Sequence, residues 1–330
     1  MNLLSSTSVF GFYTLLSRIL GYLRDILIAI FLGTSIYADA FFVAFRLPNT
    51  FRRLFAEGTF NAAFIPSYAE EKLKGEDLGR KFADDVFNSL LYVLIILIII
   101  VEIFTPFVVY LIAPGFYENS EKFNLAIEFT RITFPFLLFV SLSSMLSGIL
   151  NTNNKFAAAA AAPIVLNVIL ILFLLFAFYF KLNIAKSLSI GVTFAGILQF
   201  LLLIIFTRKF YFPSLSLFFK FGKSLKNFFK KLLPSIFSSG ITQINILIGT
   251  IIASFQSGAV SYLYYADRIY QINLAIAGIA VGTVVLPNLS KSIKTNDQNS
   301  VDLIQNKSLE LSLALSLPAA FGLLIASEEI

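Results

Sequence analysis

The chain has 330 residues, of which 58% are hydrophobic and only 13% are charged, and its formal net charge is +6. A soluble domain would carry about 25% charged residues, so the composition excludes a soluble protein and indicates an all-α, polytopic membrane protein. Cysteine and histidine are both absent, which excludes disulfides, thiolate or imidazole metal sites and Ser-His or Cys-His catalysis. The composition therefore favours a transporter over an enzyme, with no cofactor.

Nine apolar runs, each near or above the roughly 20 residues that a spanning helix needs, follow one another along the chain. They cover about 10–32, 38–66, 86–113, 126–150, 156–180, 187–206, 232–255, 259–288 and 308–327. The loops after the even-numbered runs hold 15 Lys and Arg, whereas those after runs 1, 3, 5 and 7 hold only Lys122, Lys181 and Lys186. The positive-inside rule therefore predicts a cytoplasmic N-terminus. Because most basic residues border membrane spans, nucleic acid is not expected as a partner.

The segment 213–231 carries apolar residues at helical spacing with lysines between them, which predicts a basic amphipathic linker helix on the inner membrane surface. The tripeptide Tyr-Ala-Asp occurs at 37–39, where the second run opens, and again at 265–267, early in the eighth. This repeat predicts two pseudo-repeated lobes, an N-terminal lobe of six spans over 1–212 and a partial C-terminal lobe of three spans over 232–330. Parallel repeats of this kind are a transporter architecture, with the substrate between the repeats.

Arginines inside the apolar runs are the best indication of function, and five of the seven lie in the first two runs: Arg18, Arg24, Arg46, Arg52 and Arg53. Each costs about 2.5 to 3.5 kcal/mol at the centre of a bilayer, so a cluster without a role is not expected. At about 1.5 Å per residue, Arg24, Arg46 and Arg268 come to a similar depth, with Arg18 and Arg52 closer to the cytoplasm. Such a column would suit a multiply charged anion, because guanidinium groups bind phosphate through paired hydrogen bonds.

Acidic residues beside the arginines support a second interpretation, in which internal ion pairs hold the helices together. Asp39, Arg46 and Arg53 recur at seven-residue steps along one stripe of the second run. Glu57 lies one turn after Arg53, and an aspartate, Asp25, directly follows the arginine at position 24. The residues alone leave substrate binding and ion pairing both open.

Pro48 lies in the second run, beside the arginine cluster. It has no N–H group, so it leaves the carbonyl of Ala44 without its helical donor. The sequence therefore predicts a kink at this point, which either opens a cavity or eases packing.

Three segments carry a resemblance to a known family. The longest is SRILGYLRDILIAIFLGTSIYADAFFVAFRLPNTFRRLFAEGTFNAAFIPSYAE, from Ser17 to Glu70, and the others are FPFLLFVSLSSMLSGILNTNNKF and YYADRIYQ with GTVVLPNLSKS after it. They resemble the MurJ (MviN) lipid II flippases of the multidrug/oligosaccharidyl-lipid/polysaccharide exporter superfamily. The resemblance implies fourteen helices in two six-helix lobes around a cationic cavity, so the chain would hold about 9 of 14 helices, with the second lobe incomplete.

The resemblance also implies alternating access that carries undecaprenyl-pyrophosphoryl-disaccharide-pentapeptide, lipid II, from the inner to the outer leaflet of a bacterial inner membrane. By motif position, Arg18, Arg24 and Arg52 match cavity arginines, Asp39 matches the cavity acid, and Arg268 matches the arginine of the second lobe. It implies that Arg24, Arg52 and Arg268 hold the pyrophosphate and that Asp39 helps to switch states. Lipid II and membrane lipids are the expected partners, with cell-wall synthesis machinery as a further candidate. The remaining candidates for gating or ion pairs are Asp25, Arg46, Arg53, Glu57 and Asp267.

Two departures from the family matter. Ile272 and Asn273 stand where the family has a proline after the YADR motif, and helices ten to fourteen are expected to be missing through truncation at the C-terminus. Three alternatives therefore stay open: a flippase for another undecaprenyl-linked glycan, a non-transporting fragment that binds lipid, and a drug or cation antiporter of the same superfamily. The arginines argue against the antiporter, which would have an acidic or apolar cavity.

Overall fold

The computed structural model describes residues 3–56, 59–216, 222–273 and 297–326, together with 285, 289, 292 and 293. Every regular element in these ranges is helical, which confirms the all-α class. The chain divides into two compact units, Met1–Leu263 and Tyr264–Ile330.

In its described residues, the first unit has eleven helical segments and the start of a twelfth. They are α1 (Leu3–Leu32), α2 (Ile36–Ala56), α3 (Thr59–Lys74), α4 (Glu76–Ile103), α5 (Thr105–Ile112), a 3₁₀ turn (Pro114–Glu118), α6 (Ser120–Thr133), α7 (Phe136–Thr152), α8 (Phe156–Tyr179), α9 (Ile184–Thr207), α10 (Lys223–Ala253) and α11 (Ala259–Asn273). The second unit holds the rest of α11 and α12 (Gln298–Ile325). In the described ranges, five segments are long and apolar enough to cross a bilayer: α4, α6 with α7, α8, α9 and α12. These segments support the prediction of a multi-pass membrane protein.

Local chemistry ends α1 and begins the helices that follow. Gly33 has φ of +54°, which a residue without Cβ adopts at little cost, and its N–H donates to the Ala29 carbonyl at 3.0 Å to close the last turn. Asn119 caps α6 and Asn183 caps α9, because each side-chain oxygen accepts a hydrogen bond from a main-chain N–H three residues later. The turn at Gly33 is short, and α2 begins four residues after the end of α1.

The Ala44 carbonyl, which Pro48 leaves without a helical donor, accepts a hydrogen bond from another helix. The Oγ1 of Thr133, a fully buried residue at the end of α6, donates to the Ala44 carbonyl at 3.0 Å. A second threonine acts in the same way at the break between α6 and α7, where the Oγ1 of Thr193 on α9 donates to the carbonyl of Ile132. Hydroxyl groups from neighbouring helices thus supply partners to main-chain carbonyls at Pro48 and at the junction of α6 and α7.

We expect Thr133→Val to lower the free energy of unfolding by about 1 to 3 kcal/mol, since the variant keeps the side-chain volume and leaves the Ala44 carbonyl buried without its donor. Denaturant unfolding in detergent micelles, followed by circular dichroism, measures the change. Thr130→Val is the matched control, because Thr130 is equally buried on the same helix but bonds to the Ala126 carbonyl of its own helix. Equal losses in the two variants would contradict this account.

The segment after α9 is held along α4 by side chains one helical turn apart. The Oδ1 of Asp84 accepts hydrogen bonds from the Tyr211 hydroxyl at 2.8 Å and from the Ser214 N–H at 3.0 Å. Asn88 donates to the Ser214 carbonyl and accepts from the Ser216 N–H. Burial, helped by the Asp84 carboxylate, raises the pKa of Tyr211 well above its usual range, so the phenol keeps the proton that it donates.

The amphipathic helix predicted over 213–231 begins later than expected, at Lys223, and Ser214 and Ser216 are instead bonded along α4. It then continues without interruption to Ala253 as α10. Its apolar face packs on protein, where Leu225, Phe228 and Leu232 are buried. Phe228 lies at the centre of an aromatic cluster, whose other rings are Phe60, Phe64, Phe82 and Phe229. The lobe boundaries at 212 and 232 stay a prediction.

Candidate functional site

Arg24 on α1 is a buried arginine whose charge is held between two helices. Its side chain is 6% exposed, and its Nη2 and Nε donate to Asp25 Oδ1 at 2.6 and 3.0 Å. Its Nη1 donates to Asn167 Oδ1 on α8 at 2.8 Å. The amide of Asn167 donates in turn to the Ser17 carbonyl at 2.9 Å, which fixes its orientation. The guanidinium is therefore positioned before any ligand arrives.

These bonds use only part of the donor capacity of the Arg24 guanidinium. The group carries five N–H donors, and the contacts with Asp25 and Asn167 use three of them. The remaining two N–H groups make no hydrogen bond within the described residues. The neighbouring carboxylate also offsets the cost of burying the charge among apolar helices.

Asp39 on α2 is fully buried and accepts four hydrogen bonds. The Nζ of Lys122 on α6 lies 2.5 Å from Oδ2, and the N–H of Gly258 donates to the same oxygen at 3.0 Å. The N–H and Oγ of Ser261 donate to Oδ1 at 2.9 and 2.5 Å. Since α11 begins at Ala259, the carboxylate caps its first turn, where a negative charge is stabilised by the helix dipole.

Two further contacts join the same elements. The N–H of Gly115, in the 3₁₀ turn, donates to the Oγ of Ser254 at the end of α10, at 3.0 Å. The Nζ of Lys122 also lies 4.1 Å from the ring centroid of Phe116. Together these contacts fasten the turn between α10 and α11 onto α2, the 3₁₀ turn and α6. We call this set the Asp39 seam, and its members are Asp39, Gly115, Lys122, Ser254, Gly258 and Ser261.

The Asp39 seam leaves no space for a side chain at Gly115. A Cβ there would overlap the Ser254 carbonyl oxygen and would lie 2.5 Å from the Phe255 N. Both are main-chain atoms, so Gly115→Ala must push the turn after α10 away from the 3₁₀ turn, at about 1 to 3 kcal/mol. The reactivity of a buried thiol measures this displacement. Val260 is fully buried, and Val260→Cys gives the chain its only thiol. We expect Gly115→Ala to make this thiol react about tenfold faster with a water-soluble maleimide than it does in the Val260→Cys parent.

Gly240→Ala on α10 is the control for this prediction, since a Cβ at Gly240 would meet nothing within 4 Å. Its labelling rate should match that of the parent Val260→Cys protein. An unchanged rate in Gly115→Ala would show that the seam tolerates the added methyl group.

The other predicted arginines of α1 and α2 differ in exposure. Arg18 is exposed, Arg46 is buried, and Arg52 and Arg53 are half-buried. The Nε of Arg52 donates to the side-chain oxygen of Asn49 at 3.0 Å, one turn earlier on α2. The common depth expected for the arginines, and their shared role, stay predictions.

In the second unit, Arg268 donates from Nη2 to the Tyr264 hydroxyl at 2.9 Å, and its guanidinium carbon lies 5.0 Å from the centroid of the same ring. Asp267 beside it is half-buried. Glu57, the predicted partner of Arg53, lies outside the described residues.

Sequence reasoning missed the side chains that contact Arg24 and Asp39 from other helices: Asn167, Lys122 and Ser261. Lys122 could have been noticed as one of only three basic residues in the loops assigned to the outside. Asn167 stands inside the otherwise apolar run IVLNVILILF of α8, where an amide needs a partner. Ser261 gave no signal, because serine is common at the first turn of any helix.

Comparison with known proteins decides the family. The family model described as lipid II flippase MurJ matches residues 28–330. The chain belongs to the MurJ family. The resemblance drawn from the signature segments is thereby confirmed.

Individual MurJ proteins show how much of the family's length is present. A curated relative from Rhizobium tropici, named probable lipid II flippase MurJ, is 43% identical over 338 residues, which are 100% of this chain and 63% of the relative. A solved structure of lipid II flippase MurJ in an inward closed conformation has a TM-score of 0.81 at 31% identity and covers 96% of this chain and 65% of that one. The chain thus spans somewhat less than two thirds of these MurJ proteins.

A more distant likeness shows the fold alone. An inward-facing multidrug resistance MATE transporter of the MOP superfamily has a TM-score of 0.68 at 14% identity. The helical architecture that the MurJ chain adopts is thus shared with transporters of other substrates.

Proposed function

We propose that the protein is a lipid II flippase, which moves the undecaprenyl-pyrophosphate-linked disaccharide pentapeptide from the inner to the outer leaflet of a bacterial inner membrane by alternating access. The observation that carries the proposal is the buried Arg24, positioned by Asp25 and Asn167 in a chain of the MurJ family. The curated relatives are named as lipid II flippases or probable lipid II flippases, which supports this choice of substrate.

The chemistry of the substrate suits this site. A pyrophosphate carries several negative oxygens that accept charge-assisted hydrogen bonds, and arginine binds such groups through two parallel N–H donors. Among apolar helices the attraction is screened less than in water, so a few cations suffice. Arg24 supplies two N–H groups, and Arg52 and Arg268 are the proposed further ligands. Arg18, which is exposed, would meet the headgroup first from the cytoplasmic side.

The Asp39 seam supplies one closed state of the proposed cycle. With the N-terminus in the cytoplasm, α1 runs outward, so Asp39 near the start of α2 lies close to the periplasm. The seam would then close the periplasmic side while the substrate site faces inward. The MurJ structure of similar fold is titled as an inward closed conformation, which supports this assignment. Opening would require Asp39 to release both Lys122 and the first turn of α11.

Native mass spectrometry of the purified chain tests the substrate assignment, with lipid II, undecaprenyl phosphate and phosphatidylglycerol as probes. We expect Arg24→Ala/Arg268→Ala to weaken lipid II binding by about tenfold or more, given about 1.5 to 3 kcal/mol for each hydrogen bond to a charged group. Binding of phosphatidylglycerol should not change. The control is Arg80→Ala/Arg131→Ala, which removes two exposed arginines.

Three outcomes would contradict the proposal. Equal binding of all three lipids by the parent chain would favour a lipid-binding protein without selectivity. Stronger binding of a different undecaprenyl-linked glycan would favour a flippase for that glycan. Equal loss of lipid II binding in the control would show that net charge, and not the Arg24 site, is what the lipid recognises.

A further inference from the structure

A cavity with basic residues in its lining lies at the junction of three helices of the first unit, α7, α8 and α9. It has a volume of about 850 Å³ and lies between the loop that joins α7 to α8 and the end of α9. Its lining includes the basic residues Lys155, Arg208 and Lys209 and the apolar residues Phe156 and Phe206. No lining residue belongs to the Arg24 site or to the Asp39 seam. We call it the Lys155 cavity.

The basic residues of the Lys155 cavity form no ion pair within the part of the chain that the structure describes. Asp84 does not line the Lys155 cavity; it lines a neighbouring cavity of about 230 Å³ together with Arg208 and Lys209. Its Oδ1 already accepts two hydrogen bonds from the segment after α9. The Lys155 cavity is therefore lined by three basic residues, and its described lining contains no acidic residue.

The start of α8 adds a weaker preference for an anion. Phe156, Ala157 and Ala158 are its first three residues, and all three line the cavity. No side chain caps this helix end, and the residue at the cap is Lys155 itself. The N–H groups of a first helical turn favour a negative charge nearby.

The apolar residues of the lining distinguish an amphipathic ligand from a soluble anion. Ile205 and Phe206 line the cavity and are 57% and 54% exposed, and Leu201 is exposed one turn earlier on α9. In a membrane-spanning helix, these side chains face hydrocarbon. The cavity thus opens where a polar headgroup region meets the acyl chains, on the side that the positive-inside rule assigns to the cytoplasm.

We propose that the Lys155 cavity binds an anionic glycerophospholipid of the cytoplasmic leaflet. Its phosphate would lie between Lys155, Arg208 and Lys209, and its acyl chains would lie along the exposed face of Leu201 and Ile205. Clusters of basic residues between helices on this side of a membrane are suited to such headgroups. The lipid would bridge the α7 to α8 loop and the end of α9, and it is distinct from the transported substrate.

Native mass spectrometry of the purified chain tests the proposal. It compares the binding of phosphatidylglycerol with that of phosphatidylcholine of the same acyl chains. We expect the parent chain to bind phosphatidylglycerol about tenfold more tightly, and Lys155→Gln/Arg208→Gln/Lys209→Gln to lose that preference. The matched control is Lys226→Gln/Lys230→Gln/Lys231→Gln, which removes three exposed charges of α10. It should keep the preference.

A second variant keeps the test informative if the triple variant does not fold. Ala157→Trp retains every charge and fills the cavity, because Ala157 is an exposed lining residue. It should lower phosphatidylglycerol binding as the triple variant does, with circular dichroism to confirm the helical fold.

Several results would overturn the proposal. The control triple variant could lose the preference equally, which would assign it to general surface charge. Glycerol 3-phosphate could displace the lipid completely, which would make the anion alone the ligand. The preference could also survive both cavity variants. Failure of the substrate assignment is distinguishable, because Arg24→Ala/Arg268→Ala should leave phosphatidylglycerol binding intact and the cavity variants should leave lipid II binding intact.

Discussion

Replacement of Asp39 by asparagine should lower the free energy of unfolding of the chain by about 3 to 5 kcal/mol, because it leaves the buried Lys122 without its counter-charge. The variant also exchanges a carboxylate for a neutral amide at the first turn of α11, where the charge is favourable. Denaturant unfolding in micelles gives the stability. The same variant in the Val260→Cys background should speed maleimide labelling, since the Asp39 seam then opens more often.

Two comparisons separate the buried pair from charge in general. Asp39→Asn/Lys122→Met removes both partners and should recover much of the loss, because no uncompensated charge remains buried. Glu128→Gln breaks the pair of Glu128 with Lys186, whose side chains are 44% and 51% exposed, and should cost at most about 1 kcal/mol. If Asp39→Asn costs no more than Glu128→Gln, the closure of the seam does not depend on this charge.

The second large effect is expected at Asp25. Asp25→Asn removes the carboxylate that accepts two hydrogen bonds from the buried Arg24, so the free energy of unfolding should fall by about 3 to 5 kcal/mol. Binding of lipid II should change in the opposite direction and tighten by about tenfold, because the amide oxygen can still accept from Arg24 and hold it in place, while the negative charge next to the pyrophosphate is gone. Native mass spectrometry and denaturant unfolding on one preparation measure both quantities.

The control for Asp25 is Glu70→Gln, which breaks an exposed pair with Lys74 and should change neither stability nor lipid II binding appreciably. Weaker lipid II binding by Asp25→Asn would contradict this effect of the Asp25 charge and would indicate that the carboxylate is needed to hold Arg24 in place. Unchanged stability would show that the pair is better solvated than its burial implies.

The sequence alone predicted the helical membrane class and singled out Asp39 and Arg24 before any contact was known. It also predicted that Pro48 releases the Ala44 carbonyl, although it could not name Thr133 as the new partner. Asp25 beside Arg24 was named from the sequence, whereas the partners on other helices, Lys122 for Asp39 and Asn167 for Arg24, could not be named. Lys122 lies 83 positions from Asp39, and Asn167 lies 143 positions from Arg24.

Hydropathy explains this limit in physical terms. It determines which residues enter a helix and which helices enter a membrane, but apolar helices can pair in many ways with similar burial. The seven-residue stripe of Asp39, Arg46 and Arg53 suggested that internal ion pairs hold the helices together, but it could not name Lys122 of α6 as the partner of Asp39. Likewise, no periodic pattern records the bonds to α4 that the segment before α10 makes.

The length of α10 links the two ends of the first unit mechanically. This helix of 31 residues, about 46 Å long, has Phe228 fixed in the aromatic cluster near its start and Ser254 in the Asp39 seam just after its end. Because it is held at both ends, α10 can tilt only if the contacts of Phe228 or of Ser254 break, or if the helix bends. Pro234, which lacks an N–H group, is the point inside α10 where bending is easiest. Opening of the Asp39 seam therefore frees the Ser254 end of α10, so that the helix can tilt about Phe228 or bend near Pro234 while the aromatic cluster stays intact.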